Sequence, residues 1–473
     1  MPLSDKYPHW VGLIYVFNLI VGTGALTLPA AFASAGWLFS TFMLMLLCFV
    51  SFINVTFVIE SMACANATIE WRRIQSHKID ESEVSHSTDS ERETTSTEET
   101  AILSTQRTKR YYSLNRKVEL GEMAALYLSK TGHVFFFVSL CVYLFGDLTI
   151  YAAASGKTLV NLSCRSSNNS ENFTEYCWDD TGVTKMDIYR MYVTVFGLLI
   201  GPFTYFNVQK TKYLQMFTVS VRWIAFTIML TLACVRLLKY GQQGHPGLIN
   251  LVEVPALAGS SVYSFMCHHS LPGLIAPFSS KNRIMLKISY DFFLICAFYL
   301  LLSLTGSFAF ESLDVLYSLN FIQTGDSGTV MKIVGFFLAA FPLFPMSTSF
   351  PIIAITLQAN LTHLFVNCIE RRGFFVRRLL FPTLAVFPPI ILALSTHNLK
   401  TLIEVTGSYA GVIVQYIVPA VLVINARKRC LRDFGSISHR YTSPFKHYAW
   451  FCFVILWALL CIIFVTVDFI INH

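Results

Sequence analysis

Charge is scarce in this sequence. Only 13% of its 473 residues are Asp, Glu, Lys or Arg, against about 25% in an ordinary soluble protein. No polar segment is long and apolar enough to enclose a core, so a soluble catalytic domain is excluded. Three further signals are missing: a glycine-rich phosphate loop after a strand, a Cys/His cluster at metal-ligand spacing in a polar segment, and a nucleophile elbow. Together these absences argue against an enzyme and against a resident metal or organic cofactor. The net charge of +7 is no sign of a nucleic-acid partner, because the basic residues sit in short loops between apolar runs, as the positive-inside bias requires. What is present is apolar: 54% hydrophobic residues, 41 of them Phe, with a mean hydropathy of +0.55. The chain reads as a polytopic membrane protein whose solvent on most sides is the lipid bilayer. Most of its 12 Cys lie inside apolar runs, where Cys acts as a small hydrophobe.

A span needs about 20 apolar residues. Eleven such runs are expected: Val11–Ala35, Leu38–Met62, Val134–Leu159, Asp187–Phe206, Leu214–Leu237, Pro255–Phe278, Ile288–Phe310, Val330–Leu357, Phe375–Ser395, Leu402–Val423 and Tyr448–Ile471. With the N-terminus cytosolic, the inside loops collect Arg72, Arg73, Arg107, Lys109, Arg110, Arg116, Lys117, Lys210, Lys212, Lys281, Arg283, Arg371, Arg372, Arg377 and Arg378. The last inside loop adds Arg427, Lys428, Arg429, Arg432 and Arg440. The outside loops hold little beyond Arg165, Lys185 and Lys400. This alternation predicts a lumenal or extracellular C-terminus. The outside loop 161–186 carries glycosylation sequons at Asn161, Asn168 and Asn172, and Cys164 and Cys177 can pair there in an oxidising compartment. The sequons at Asn66 and Asn360 fall on the inside and are expected to stay silent. A cleaved signal peptide is the rival reading of the first run; removing that run breaks the charge parity of the loops.

The expected organisation is a cytosolic N-terminus (1–10), two spans (11–64), a disordered cytosolic linker (65–118), spans three to ten (119–425) with the glycosylated loop 161–186, a cytosolic loop (426–447), and a last span with its lumenal end (448–473). The linker interior is rich in Ser, Thr and Glu and has no aromatic residue between 79 and 105, so it has nothing to bury. Glu98-Glu-Thr-Ala-Ile-Leu103 resembles an acidic dileucine sorting signal, and Tyr111-Tyr-Ser-Leu114 a tyrosine-based one. Both point to contact with a clathrin adaptor and to delivery to endosomes or lysosomes.

Within the first run, Gly22-Thr23-Gly24 interrupts the apolar pattern. Each glycine costs roughly 1 kcal/mol relative to Ala in a helix interior. Unwound backbone survives at membrane depth only where protein or a polar cavity surrounds it. The stretch therefore reads as two half-helices meeting at a small-molecule site, or else as a kinked helix whose glycines admit a close neighbour. The sixth run is interrupted in turn at His268, His269, Pro272 and Gly273. Each interrupted run opens a group of five spans. Breaks at corresponding positions of two halves point to a transporter site between inverted repeats. A broken helix offers free amides at the start of its second half, near Gly24 and Ala25, and free carbonyls at the end of its first, near Ile20 and Val21. The amides suit a carboxylate and the carbonyls an ammonium or a metal cation. A zwitterionic amino acid matches both. Asp147 lies mid-span, where a carboxylate costs roughly 2.5–3.5 kcal/mol. It shares a helix face with Tyr143 and Tyr151, and it suits a substrate ammonium, a coupling proton or a structural pairing. An ordinary imidazole titrates between the pH of cytosol and that of an acidic lumen, so His268 and His269 suit either proton coupling or a structural hydrogen bond.

Asn18-Leu-Ile-Val-Gly-Thr-Gly-Ala-Leu-Thr-Leu-Pro29 resembles the first span of the amino acid/auxin permease family, within the amino acid–polyamine–organocation superfamily. Tyr263-Ser-Phe-Met-Cys-His268 resembles its sixth span. The resemblance covers nearly all the chain except the linker. It implies an all-α fold of five plus five inverted spans with one extra, broken first and sixth helices, and amino acid transport. In related transporters the eighth span supplies hydroxyls to a sodium ion held with carbonyls of span one, which implicates Ser347 and Thr348 in Ser347-Thr-Ser349. Arg222 in span five either pairs with Asp147, reaches the cytosolic surface, or sits where sodium sits in cation-driven relatives. The candidate substrate residues are Asn18, Gly22, Thr23, Gly24, Ala25, Tyr143, Asp147, Ser264 and Phe265. The candidate ion-coupling residues are Ser347, Thr348, Arg222 and His268, with Na⁺ or H⁺ as coupling ion. The expected function is secondary active transport of an amino acid or similar zwitterion by alternating access. The alternative is an endolysosomal nutrient sensor that binds the same ligand and moves little of it.

Overall fold

In the structure, a computed structural model describing residues 6–85, 111–164, 173–178, 182–205, 212–322, 328–365, 374–435 and 439–472, the first helix stops where the glycines predict. Helix α1 (His9–Ile20) ends as Val21 leaves the helical region at φ −77°, ψ 75°. Helix α2 (Gly24–Ala35) resumes at an angle of 55° to it. Gly36, at φ 94°, turns the chain into α3 (Trp37–Ser85), which is 49 residues long. At 1.5 Å per residue α3 extends about 70 Å, more than twice a hydrocarbon core of about 30 Å. It therefore runs on through Asn66–Ser85, which composition alone assigns to the linker. Ala63 and Ala67, four residues apart and so on one helix face, are fully buried where this continuation begins, and small residues at that spacing let a second helix lie close.

The remaining helices are α4 (Leu120–Tyr127), α5 (Lys130–Ser163), α6 (Lys185–Ile200), α7 (Lys212–Tyr240), α8 (Val254–Ser264), α9 (Leu271–Ile275), α10 (Ile284–Ala309), α11 (Thr329–Ala340), α12 (Leu343–Leu364), α13 (Phe374–Ser395), α14 (Leu399–Val405), α15 (Val418–Phe434) and α16 (Tyr448–Asn472). Thr406–Gly411 and Ile413–Ile417, between α14 and α15, are π-helical, a wide geometry that collects at functional sites. The described residues contain no strand beyond the isolated bridges Tyr7–Phe278 and Tyr176–Thr184.

Seven helical stretches are long and apolar enough to cross a membrane, or eight if the bent α1–α2 pair is one span. The other three expected spans correspond to α6, the interrupted α8–α9 pair and the short apolar Leu379–Ser395. Helix α5 is central and packs on α6, α12 and α13. Helix α3 lies against α10 and α15, and α2 against α8 and α10. The spans of α3 and Leu399–Phe434 are 72% buried, those of α7 and α16 only 22%. The first two thus form the interior, and the latter two face lipid.

The linker is anchored at both ends of its described part. Asn66 Nδ2 donates to the carbonyls of Ser113 (2.8 Å) and Arg116 (3.2 Å). The Tyr112 ring stacks on His439 with centroids 4.2 Å apart, and Leu114 is fully buried. Tyr111–Leu114 is thus folded onto the bundle and not displayed on a tether, because its two aromatic rings and its Leu find apolar partners there. The dileucine stretch Glu98–Leu103 lies outside the described residues. Cys164 and Cys177 are joined by a disulfide. Asn161 is exposed on the last turn of α5, while Asn168 and Asn172 lie outside the described residues. Asn66 and Thr68 of the inside sequon are buried.

Candidate functional site

The two breaks meet. A Cβ added to Gly24 would lie 2.6 Å from Ser264 Cα, whereas one added to Gly22 finds only the carbonyls of Leu19 and Ile20, at 4.0 Å. Gly24 is therefore the close-approach glycine, and Gly22 borders open space. Among the described residues the amides of Thr23 and Gly24 have no backbone acceptor. The amide of Ala25 donates to Gly22 O at 3.2 Å, so the free donors sit one residue earlier than the sequence suggests.

The carbonyl end of α1 is already occupied. Arg222, from the middle of α7, donates through Nη1 to Asn18 O and, at 3.1 Å, to Val21 O. Arg222 is half-buried with its guanidinium turned onto these carbonyls, and no ion pair joins it to Asp147 among the described residues. Tyr299 of α10 places its hydroxyl 2.9 Å from Ile20 O and 2.9 Å from Ser264 O, so one phenol holds the ends of both first half-helices. A cation in this position balances the partial negative charge of a helix C-terminus.

On the other side of the break lies a carboxylate. Tyr263 donates to Asp147 Oδ1 at 2.6 Å, and the Thr23 hydroxyl lies 3.1 Å from the Tyr263 oxygen. Since the phenol proton points to Asp147, Thr23 donates to Tyr263. Each of Thr23, Tyr263 and Asp147 is buried. This chain of bonds ties α5, α8 and the first break into one polar cluster, with Tyr143 beside it against His269, ring centroids 5.7 Å apart. Asn18 donates through Nδ2 to Ile14 O, and its Oδ1 is buried without a partner. Ser264 Oγ turns back to Ser260 O, and Phe265 packs edge-on to Tyr299. Ser264 and Phe265 therefore serve as walls and helix ends, and their polar or aromatic atoms do not enter the Asp147 cluster.

The remaining sequence candidates lie elsewhere. The Thr348 hydroxyl bonds to Phe344 O and Pro345 O of its own helix, and among the described residues neither Ser347 nor Thr348 bonds to the α1 carbonyls that Arg222 holds. His268 Nε2 lies 3.1 Å from Ser51 O, to which it donates, and its Nδ1 is buried without a partner, as is that of His269. Sequence reasoning passed over three residues. Tyr263 stands inside the quoted motif. Tyr299 looks like one more core aromatic. Asp291 in α10 is buried with Oδ2 unpartnered, and the mid-span carboxylate rule that flags Asp147 would also have flagged it.

Two cavities approach the cluster. One of about 250 Å³ is lined by Glu119, Glu122, His133, His363 and, at its inner wall, His269. It lies at the end of the bundle where α5 begins. The second, of about 180 Å³, is lined by Thr27, Ser34, Ser260 and Lys400. It lies at the end where α14 begins, the end that also holds the disulfide loop, since Tyr189 bonds there to Ala393 O and Thr396 O.

Residues 100–467 match the family described as transmembrane amino acid transporter protein. The chain belongs to that family. Its relatives there include transmembrane protein 104 of Mus musculus, 44% identical over 490 residues that cover 99% of this chain and 98% of the relative. The transmembrane protein 104 homologs of Drosophila melanogaster (41% identical, covering 98% of this chain and 97% of the relative) and Dictyostelium discoideum (30%, covering 99% and 98%) agree from end to end. The chain is thus of the transmembrane protein 104 group within the family. In fold it is similar to the crystal structure of MhsT in complex with L-phenylalanine, with a TM-score of 0.54 over 98% of this chain and 99% of that one, at 12% identity. The protein is an integral, multi-pass membrane protein of the amino acid transporter type.

Proposed function

We propose that this protein is a secondary transporter of an amino acid or similar small zwitterion, working by alternating access through eleven spans, ten of them in two inverted groups of five. The observation that carries the reading is the Thr23–Tyr263–Asp147 chain at the meeting point of two broken helices, between cavities that approach from opposite ends. The free amides of Thr23 and Gly24 take the substrate carboxylate at a helix N-terminus. Asp147 takes its ammonium. The carbonyls otherwise suited to an ammonium are held by Arg222 and Tyr299. The same occupancy bears on the coupling ion. A guanidinium stays charged at every physiological pH and stands on the α1 carbonyls, so Na⁺ has no role at that end. A proton on Asp147 in the empty carrier is the coupling step that the buried carboxylate supports. Loop charges support a cytosolic N-terminus, and delivery to endosomal or lysosomal membranes rests on Glu98–Leu103 alone.

Purified protein in proteoliposomes tests this. Saturable uptake of an amino acid that follows a pH gradient, persists when choline replaces sodium and disappears in Asp147→Asn supports the proposal. Strict dependence on sodium overturns the coupling assignment. Ligand-stabilised protein with no flux overturns transport and favours the nutrient-sensor reading.

A further inference from the structure

A third cavity, of about 420 Å³, lies away from the transport site, between α3, α15 and the start of α16. Its walls are apolar: Phe57, Val423, Leu431 and Phe451 among them. Its rim is basic: Arg427, Lys428, Lys446 and His447. The depth of the groove follows from helix geometry. Phe57 stands twenty residues after Trp37, the start of α3, a rise of about 30 Å, one hydrocarbon thickness. The apolar helix α16 begins at Tyr448, next to His447. The basic rim therefore lies at the headgroup level and the apolar walls just inside the acyl region.

The rim charges differ in their engagement. Arg427 is fixed: Nε and Nη2 hold the two oxygens of the fully buried Glu60 at 2.8 Å each, and Nη1 donates to Lys446 O at 3.2 Å. Glu60 Oε2 also accepts the amide of Ser443 at 2.9 Å. This network clamps the 439–447 loop against α3 and sets Lys446 and His447 beside Lys428. Lys428, Lys446 and His447 are exposed and have no acid partner among the described residues, while Glu60, the acid beside them, is spent on Arg427. A held pair of unneutralised lysines with an imidazole beside them, above an apolar slot, matches a phosphate attached to acyl chains. A free anion gains nothing from the slot, and a neutral lipid gains nothing from the rim.

We infer that the groove between α3, α15 and α16 is a binding site for one anionic phospholipid, its phosphate on Lys428, Lys446 and His447 and one acyl chain along Phe57, Val423 and Phe451. Juxtamembrane basic groups attract anionic lipid at this level by about a few-fold each. The site is separate from the Asp147 cluster, and its test does not depend on transport.

The experiment uses the full-length protein in detergent with added phosphatidylcholine, phosphatidylserine, a phosphoinositide, or soluble inositol phosphate. Bound lipid is read by native mass spectrometry and stability by thermal unfolding. The expected result is retention of the anionic lipids over phosphatidylcholine, a raised Tm, and about 10- to 30-fold weaker retention in the double variant Lys428→Gln/Lys446→Gln. Both lysines are exposed, so the variant keeps the fold, and its Tm without lipid should equal that of the natural chain. Equal retention of phosphatidylcholine, or unchanged retention in the double variant, overturns the site. Displacement by inositol phosphate as effective as by the lipid also overturns it, because the acyl slot would then contribute nothing.

Discussion

At the first helix break the carbonyls of Asn18, Ile20 and Val21 accept hydrogen bonds from Arg222 and Tyr299. At the second, His268 makes one bond, to Ser51, and Nδ1 of both His268 and His269 is buried without a partner. Both are interruptions of an apolar run, and both put unpaired backbone at membrane depth. At the first the carbonyls are closed by donors from α7 and α10, which leaves its amides and Asn18 Oδ1 open. The second retains polar capacity that nothing among the described residues uses, and its His269 lines the cavity at the end of the bundle where α5 begins. Leaving a buried polar group unsatisfied costs about 1–3 kcal/mol. The second break is thus the side on which a ligand, water or helix movement has most to gain.

Substitutions can break or sharpen this contrast. The largest effect belongs to the carboxylate that joins the two breaks. Asp147→Ala should weaken amino acid binding by 100-fold or more, since truncating one member of a buried charge pair costs about 2–5 kcal/mol. Titration calorimetry on the purified protein measures it, and unchanged affinity would move the ammonium site away from α5. Next come the closed carbonyls of the first break. Arg222→Met leaves two carbonyls without a donor and should lower stability by about 2–4 kcal/mol. In thermal unfolding, the natural chain should be indifferent to sodium; a strong sodium-dependent rise in its Tm would show that Arg222 does not do the work of a cation.

The two glycines of the first break give a smaller and more discriminating test. Gly24→Ala forces a Cβ against Ser264 Cα and should cost about 1–3 kcal/mol of stability, whereas Gly22→Ala faces open space and should leave the fold intact. Equal losses for the two would mean that the breaks do not abut as described. Tyr299→Phe removes the hydroxyl between Ile20 O and Ser264 O and should cost about 1–2 kcal/mol, read by the same melts. The smallest effect is at the second break. His269→Gln should change stability by less than about 1 kcal/mol, because its Nδ1 has no bond to lose, while slowing release into the cavity it lines. A large stability loss there would show that the second break is as firmly closed as the first.

Much of this arrangement is legible in a hydropathy trace. The Gly22–Gly24 and His268–Gly273 interruptions, the mid-span Asp147 and the face it shares with Tyr143 are local features; the first break lies where they predict, while the second begins earlier, after Ser264, and ends at Leu271, so that Pro272 and Gly273 fall inside α9. The partners are not local. Arg222 offers three destinations in the sequence, and only the crossing of α7 over the end of α1 selects the carbonyls of Asn18 and Val21. Tyr299 carries no local signal, since a Tyr in an apolar run is ordinary. Ser347 and Thr348 carry a signal that their helix satisfies internally. The linker misleads in another way. Low apolarity foretells a free tether, but the Ala63/Ala67 face of α3 and the ring of Tyr112 find surfaces contributed by α15 and the 439–447 loop, which lie more than three hundred residues further along the chain, and Tyr111 packs on Trp71 of α3.

By itself the sequence determined that this chain is a helical membrane protein with paired helix breaks and a carboxylate at mid-depth, because those properties follow from what each segment can bury in lipid. Tertiary structure alone decided which carbonyls are closed, which glycine touches a neighbour and which backbone amides stay open. Those outcomes depend on donors brought in by other helices, and an unpaired backbone group in an apolar medium takes whichever donor the packing puts within about 3 Å.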